Sequence, residues 1–124
     1  MTNLLAIAIG SVVGGLARYG LAGFIHKIFG ATFPYGTIAV NLVGCFLIGL
    51  ISIVAEEKFF LGATGKLFLT VGFCGAFTTF STFILETGNL VKSGEIVHAF
   101  LNVALSVTIG FTLFSLGVLL GEFL

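Results

Sequence analysis

The stretch from Ile28 to Ala55, IFGATFPYGTIAVNLVGCFLIGLISIVA, contains no Asp, Glu, Lys or Arg. A helix needs roughly 20 apolar residues to cross a hydrocarbon core about 30 Å thick. This uncharged run is longer than that, and Pro34 is a residue type favoured at helix starts. The stretch therefore predicts a membrane-spanning helix over 34–55.

Three other runs of membrane length lie between the charged residues of the chain. The first extends from Leu4 to Ile25 and is broken only by Arg18, the third lies between Lys66 and Glu86, and the fourth lies between Glu95 and Glu122. No Lys or Arg precedes the first run, so it is interpreted as a span and not as a secretory signal. We predict a single all-α membrane domain over 1–124, with spans at 4–25, 34–55, 67–86 and 96–121.

The composition excludes two broad classes of protein. Of the 124 residues, 58% are hydrophobic and 8% charged, whereas a soluble domain carries roughly 25% charge. So few charged side chains cannot cover the surface of a small soluble fold. The formal net charge is zero and there is no cluster of Lys or Arg, so nucleic acid is not expected as a partner.

The loop charges do not fix an orientation in the membrane. Four spans place Lys58 and Lys66 on the side of both termini, and Lys27 and Lys92 on the other side. Because the lysines are balanced, the positive-inside rule has almost nothing to act on apart from Arg18, which lies within a span. Either another signal sets the topology, or the chain inserts both ways and forms an antiparallel dual-topology homodimer.

Small residues recur at helical spacing in the spans. The chain has 18 glycines, and two four-residue patterns are Gly10, Gly14, Arg18 and Gly36, Val40, Gly44. Small residues spaced this way let helix backbones approach closely, whatever the function of the protein. Cys45 and Cys74 lie in apolar runs without metal-ligand spacing and are interpreted as packing residues.

Polar side chains inside the spans are the candidates for function, because they are costly in hydrocarbon. Arg18 is either a structural residue that snorkels to the interface or is paired, or a fixed positive charge that draws an anion into a vestibule. Glu86 is either an interfacial anchor or a vestibule group, and His98 is interpreted as interfacial. Thr37 and Asn41 share a helix face, and the Asn41 amide has either a helix partner or an ion path as its neighbour.

The fourth span carries two polar stripes, and the sequence does not decide between them. We expect one stripe to line an ion path, and the hydroxyl groups of the other to bond to the backbone of their own helix. The stripes are Asn102, Ser106, Gly110 and Thr108, Thr112, Ser115.

The densest polar motif is Gly72-Phe73-Cys74-Gly75-Ala76-Phe77-Thr78-Thr79-Phe80-Ser81-Thr82-Phe83, in the third span. Glycine and threonine lower helix propensity, so we predict that this helix is broken between Gly75 and Thr79. Carbonyl groups freed at membrane depth need partners. A bound cation would be such a partner. If it lay on the twofold axis of a dimer, two carbonyl groups from each chain would surround it.

Phe80 and Phe83 are three residues apart and share a face. Phenyl rings carry a positive edge, which meets an anion without any full charge nearby. Ser81 and Thr82 add hydroxyl donors beside them.

The sequence resembles the Fluc family of bacterial fluoride channels, also called CrcB-like proteins. The resemblance covers all four spans and rests on the motif above, on Gly14-Gly15-Leu16-Ala17-Arg18-Tyr19, and on Gly36-Thr37-Ile38-Ala39-Val40-Asn41-Leu42-Val43-Gly44. It implies a dual-topology homodimer in the bacterial inner membrane. Such a dimer has two antiparallel pores that export fluoride passively, which gives fluoride resistance.

The resemblance also implies roles for individual residues. The pore would be formed by Asn41, Phe80, Phe83, Ser81, Thr82 and Ser106, and the vestibule by Thr37, Arg18 and Glu86. A structural sodium ion at the dimer interface would be held by the backbone carbonyls of Gly75 and Thr78. The sequence departs from the family at Ala76, where glycine is frequent, and at Asn102 and Gly110, where other members carry hydroxyl side chains.

Two other functions are consistent with a small four-span protein. A proton-coupled small multidrug-type exporter needs an intramembrane carboxylate, and the first three spans have none in their middle. A non-conducting assembly subunit would explain the glycines but not the Phe/Thr/Ser motif. An enzyme is not expected, since Ser81 and His98 alone make no catalytic set.

Overall fold

The computed structural model describes residues 1–57 and 61–124, and all regular structure within these residues is helical. Lys58, which the sequence places in the second connection, lies outside the described residues. The third span is composed of several helical pieces. In chain order the elements are α1 (Thr2–Phe29), α2 (Tyr35–Glu57), α3 (Ala63–Leu67), a π-helical segment (Phe68–Cys74), α4 (Gly75–Phe77), α5 (Phe80–Lys92) and α6 (Ile96–Phe123).

Within residues 1–57 and 61–124, four helical stretches are long and apolar enough to cross a membrane, which confirms the predicted number of spans. They are Thr2–Phe29, Tyr35–Glu57, Ala63–Lys92 and Ile96–Phe123. Each stretch runs past the predicted boundaries at one or both ends. The predicted spans end at charged residues, whereas a helix continues through such residues at the membrane surface: Lys27 lies in the last turn of α1.

Two short reversals bring pairs of helices side by side at the same end of the bundle. Gly30 ends α1 with φ 84°, and its N–H donates to the His26 carbonyl at 2.9 Å. Gly94, with φ 80°, lies between α5 and α6, and its N–H donates to the Val91 carbonyl. Both conformations are left-handed, which glycine adopts without steric cost.

Helices α2 and α6 meet backbone to backbone. A Cβ atom on Gly117 would overlap the Phe46 carbonyl oxygen and lie 2.9 Å from the Leu50 nitrogen, and one on Gly49 would overlap the Phe114 carbonyl oxygen. The glycines at these two positions let the backbones of α2 and α6 approach closely, and they lie outside the two four-residue patterns noted in the sequence. Since hydrogen replaces a side chain at the contact, α2 and α6 pack as one unit.

Gly117→Ala is expected to destabilise the protein, because its methyl group has to push two backbones apart. Overpacking of this kind costs about 1–3 kcal/mol. The measurement is the thermal unfolding midpoint in detergent. Gly88→Ala is the matched control, since a Cβ atom there meets nothing within 4 Å. Equal midpoints for the two variants would contradict the tight α2–α6 contact.

The third span contains two consecutive residues with extended backbone. Thr78 has φ −97° and ψ 161°, and Thr79 has φ −151° and ψ 122°. The Thr79 hydroxyl caps α5 by accepting from the Thr82 N–H at 3.2 Å. The preceding π-helical segment packs on α1, where Gly10 and Gly14 admit its backbone.

Candidate functional site

Two cavities adjoin the extended residues of the third span, and Thr79 lines both. The Arg18 cavity has a volume of about 620 Å³, and its polar lining includes Arg18, Thr37, Thr82 and Glu86. The Asn41 cavity has a volume of about 440 Å³ and is lined in part by Asn41, Gly75, Thr78, Phe80, Phe83 and Ser106. Most of the side chains singled out from the sequence therefore line one of these two cavities, and Thr79 lies between the two groups.

Asn41 holds the backbone of Thr79 through two hydrogen bonds. Its Nδ2 donates to the Thr79 carbonyl oxygen at 2.9 Å, and the Thr79 N–H donates to its Oδ1 at 2.8 Å. The amide thus satisfies both backbone groups of a residue that has left the helix. An amide has two N–H donors, so one remains for another acceptor in the cavity that Asn41 lines.

The interruption redirects the N–H groups that would otherwise satisfy the Gly75 and Thr78 carbonyls. In an α-helix those partners are the N–H groups of Thr79 and Thr82. Here the Thr79 N–H donates to Asn41 and the Thr82 N–H donates to the Thr79 hydroxyl. The Gly75 and Thr78 carbonyls therefore lose their α-helical partners, and both residues line the Asn41 cavity.

The Arg18 cavity combines two cationic side chains, Arg18 and Lys27, with a partly satisfied carboxyl group. The Thr37 hydroxyl donates to Glu86 Oε1 at 2.8 Å. Glu86 Oε2 is buried and has no hydrogen-bond partner among the described residues. Arg18 is half-buried and lines the same space.

A third cavity of about 400 Å³ adjoins the Arg18 cavity and shares Glu86 and His26 with it. Its other lining residues include Thr32 and Ser93, in the two connections at that end of the bundle. The Arg18 cavity therefore continues toward the membrane surface at the α1–α2 and α5–α6 end.

Two aromatic rings and a hydroxyl group face the Asn41 cavity. The rings of Phe80 and Phe83 have centroids 5.8 Å apart and planes tilted by 44°. Phe83 is 8% exposed, whereas Phe80 is 74% exposed on the outside of this chain. The Ser106 hydroxyl is buried and has no hydrogen-bond partner among the described residues, so its proton is available to a group in the cavity.

Ser81 and Thr82 do not join the two phenylalanines. Thr82 lines the Arg18 cavity with Glu86, and Ser81 is exposed and lines neither of these two cavities. Consecutive helical residues point in different directions, and residues three or four apart share a face. The helix geometry of α5 thus turns Thr82 away from its neighbour Phe83 and toward the side on which Glu86 follows one turn later.

The two polar stripes of α6 differ in their surroundings. Asn102 is 1% exposed and Gly110 is buried, and Ser106 lines the Asn41 cavity between them. On the other stripe, the Thr112 and Ser115 hydroxyls donate to the carbonyls of Thr108 and Phe111 of their own helix. Within this chain, the stripe that lines a cavity is the one with Asn102 and Ser106.

Two threonines of the site were missed by sequence reasoning. Thr79 was considered only as a weak helix former, although a threonine three residues before Thr82 is a possible N-cap. Thr87 follows Phe83 by one turn, donates to the Phe83 carbonyl at 2.7 Å and accepts from Asn102 Nδ2 at 2.9 Å. The one feature of the sequence that pointed to Thr87 is its position four residues after Phe83, on the same face of the helix.

His98 lies near the start of α6, and the two cysteines lie inside the membrane-length helices. His98 is exposed, with Nδ1 2.7 Å from Glu95 Oε2 and its ring 5.8 Å from that of Phe33. Cys45 and Cys74 are free thiols, and both line the Asn41 cavity. Residues 1–57 and 61–124 contain no group of three or more His, Cys, Asp or Glu side chains suited to a metal ion.

Comparison with known proteins identifies the family. The family model described as CrcB-like protein, Camphor Resistance (CrcB), matches residues 5–118. The chain belongs to the CrcB-like family. With four helices of membrane length, this member of the family is a multi-pass membrane protein.

Curated relatives cover nearly the whole chain. A protein of Desulforapulum autotrophicum is 43% identical over 116 residues, which are 94% of this chain and 93% of the relative. One of Geobacter sulfurreducens is 50% identical over 109 residues, 88% of each chain. One of Citrifermentans bemidjiense is 42% identical over 122 residues, 98% of each chain. All three are named fluoride-specific ion channel FluC.

Proposed function

We propose that this CrcB-like protein is a fluoride-selective channel, which lets fluoride leave the cell passively down its electrochemical gradient. The observation that carries the proposal is the Asn41 cavity, which brings together an amide, a hydroxyl and two phenyl rings and has no lysine or arginine among the described residues that line it. The names of the relatives support the same function.

The lining of the Asn41 cavity suits a small anion that must give up water. Removing a hydrated ion from water is costly unless other donors replace the water. The second Asn41 N–H and the Ser106 hydroxyl are donors, and the edges of Phe80 and Phe83 are weakly positive. Weak donors of this kind bind an ion and still release it, as conduction requires.

The Arg18 cavity serves as the vestibule. The Arg18 guanidinium raises the local concentration of anions, and the adjoining third cavity leads toward the membrane surface. The Thr37 hydroxyl holds the Glu86 carboxyl group in the lining of the same cavity. Thr82 adds a hydroxyl to the vestibule, and fluoride passes from there to the cavity beyond Thr79. Ser81 faces out of the protomer, and its hydroxyl would serve the pore only at an interface between chains.

A structural sodium ion fits the redirected backbone of the third span. The carbonyls of Gly75 and Thr78 are hard oxygen ligands whose helical partners donate elsewhere. These two residues would hold the ion together with the same pair from a second chain. The bound ion would supply positive charge that satisfies carbonyl groups at membrane depth.

Removing sodium is expected to destabilise the protein, because binding to the folded state alone adds stability. The measurement is the thermal unfolding midpoint in detergent, with sodium chloride replaced by N-methylglucamine chloride at equal ionic strength. The midpoint should fall without sodium and recover on its return. A midpoint independent of sodium would contradict the assignment.

The exposure of Phe80 and the balance of the lysines favour an antiparallel dual-topology homodimer in the inner membrane. Phe80 belongs to the pore motif and yet is 74% exposed in a single chain, so a second copy would cover it. The balanced lysines allow insertion both ways. Channels of this kind in the bacterial inner membrane would give resistance to fluoride.

Reconstitution in liposomes tests the proposed function. Vesicles loaded with potassium fluoride are diluted into fluoride-free buffer, valinomycin is added, and an ion-selective electrode records release. We expect electrogenic fluoride release and no release from chloride-loaded vesicles. Release that requires a proton gradient would favour a small multidrug-type exporter, and full retention of fluoride would favour an assembly subunit.

A further inference from the structure

A chain of hydrogen bonds joins α6 to the backbone of Phe83. Asn102 Nδ2 donates to Thr87 Oγ1 at 2.9 Å, and Thr87 Oγ1 donates to the Phe83 carbonyl oxygen at 2.7 Å. A hydroxyl group has one proton, and Thr87 gives it to Phe83. The Thr87 oxygen therefore accepts from Asn102, and the direction of the chain is fixed.

Asn102 depends on this chain for its orientation. The residue is 1% exposed, and its Oδ1 has no hydrogen-bond partner among the described residues. A buried amide in a membrane helix costs free energy that an apolar residue of similar size would not. Its bond to Thr87 is the one side-chain hydrogen bond between α5 and α6 within residues 1–57 and 61–124.

The same face of α6 borders the cavity that the Phe83 ring enters. Ser106 lies one turn after Asn102 and lines the Asn41 cavity with Phe83. Phe83 is near the start of α5, just after the extended residues Thr78 and Thr79, where a helix has little support from its own preceding turn. A tie from α6 at Thr87 therefore limits rotation of this part of α5.

We propose that Asn102 is a positioning residue for the Phe83 ring and acts through the Thr87 hydroxyl. The proposal rests on the proposed function of Phe83 as a wall of the fluoride path. The tie sets the angle at which the ring edge meets an ion next to Asn41 and Ser106. Its loss leaves α5 folded and lets the ring turn away from the ion.

Thr87→Val tests the tie, because it removes the hydroxyl group at nearly constant volume. We expect fluoride flux per folded protein in liposomes to fall about tenfold, as for the loss of one buried hydrogen bond. The ratio of fluoride to chloride flux should fall with it. Thr87→Ser keeps the hydroxyl group and should restore both values toward those of the unmodified protein.

Asn102→Leu removes the other end of the chain and provides a second test if Thr87→Val does not fold. The combined variant should lose no more flux than either single variant, because both changes break one path. A folded Thr87→Val or Asn102→Leu protein with unchanged flux and selectivity would overturn the inference. Lower yield of folded protein with unchanged flux per folded protein would show a purely structural role and also overturn it.

These outcomes are separate from a failure of the proposed function. If vesicles with the unmodified protein release no fluoride, the channel assignment itself is wrong. If they release fluoride and the variants do so equally, only the role of Asn102 is wrong.

Discussion

Phe80→Ile is expected to lower fluoride flux per folded protein by more than about a hundredfold, equivalent to roughly 3 kcal/mol of lost stabilisation of the ion. Isoleucine keeps an apolar side chain of substantial size but has no ring with a positive edge. An ion without its water would then meet aliphatic groups, which do not compensate for lost hydration. Phe80 is 74% exposed in one chain, so the change removes few contacts within it.

Liposome flux, normalised to folded protein by size-exclusion chromatography, measures the effect. Phe111→Ile is the matched control, since Phe111 is 69% exposed and faces Phe114 three residues on, with centroids 6.2 Å apart. Phe111 lines neither the Arg18 cavity nor the Asn41 cavity. If the Phe80→Ile variant conducted fluoride as well as the unmodified protein, the assignment of the Phe80 ring to the fluoride path would be wrong.

Asn41→Leu is expected to be the most destabilising single change in the site. It leaves the Thr79 N–H and carbonyl groups without their partner at membrane depth. Each buried group left unsatisfied costs about 1–3 kcal/mol. Two such losses are a large part of the stability of a small protein, so we expect a sharply lower unfolding midpoint and poor yield.

Asn3→Leu is the control for replacing an asparagine in general. Asn3 accepts from the Thr64 hydroxyl at the exposed end of the bundle, and its loss should change stability by no more than about 0.5 kcal/mol. Unfolding midpoints in detergent compare the two variants. If Asn41→Leu unfolds at the same temperature as Asn3→Leu, the Thr79 backbone does not depend on Asn41.

The number of spans was readable from sequence because hydrocarbon thickness sets the length of an apolar run. The ends of the helices were not, since Thr2 and Lys27 belong to α1 although neither is apolar. The π-helical turns of Phe68–Cys74 were also not predictable. Hydropathy is the same for an α-helical and a π-helical hydrogen-bond pattern, so an apolar run does not distinguish between them.

The site was predictable in its residue types and less so in its grouping. Asn41 in an apolar span needs partners, but that its partner is Thr79 depends on contact between residues 38 positions apart in sequence. The choice between the α6 stripes depends on which face meets α5, and the local pattern of Asn102 and Thr112 does not contain that information. Glu86 and Thr37 were assigned to one region, and their bond is a matter of tertiary packing.

The contact between α2 and α6 has a consequence for how the protein responds to lipid composition. These helices have no side chains to compress where Gly49 and Gly117 meet the opposite backbone, whereas α5 is tied to them by the side chains of Thr37, Asn41 and Asn102. A mismatch between protein and lipid length is relieved by tilting or shifting helices. In a bilayer of lipids with shorter or longer acyl chains, α5 would tilt or shift before α2 and α6 do, and the ring of Phe83 would move with it.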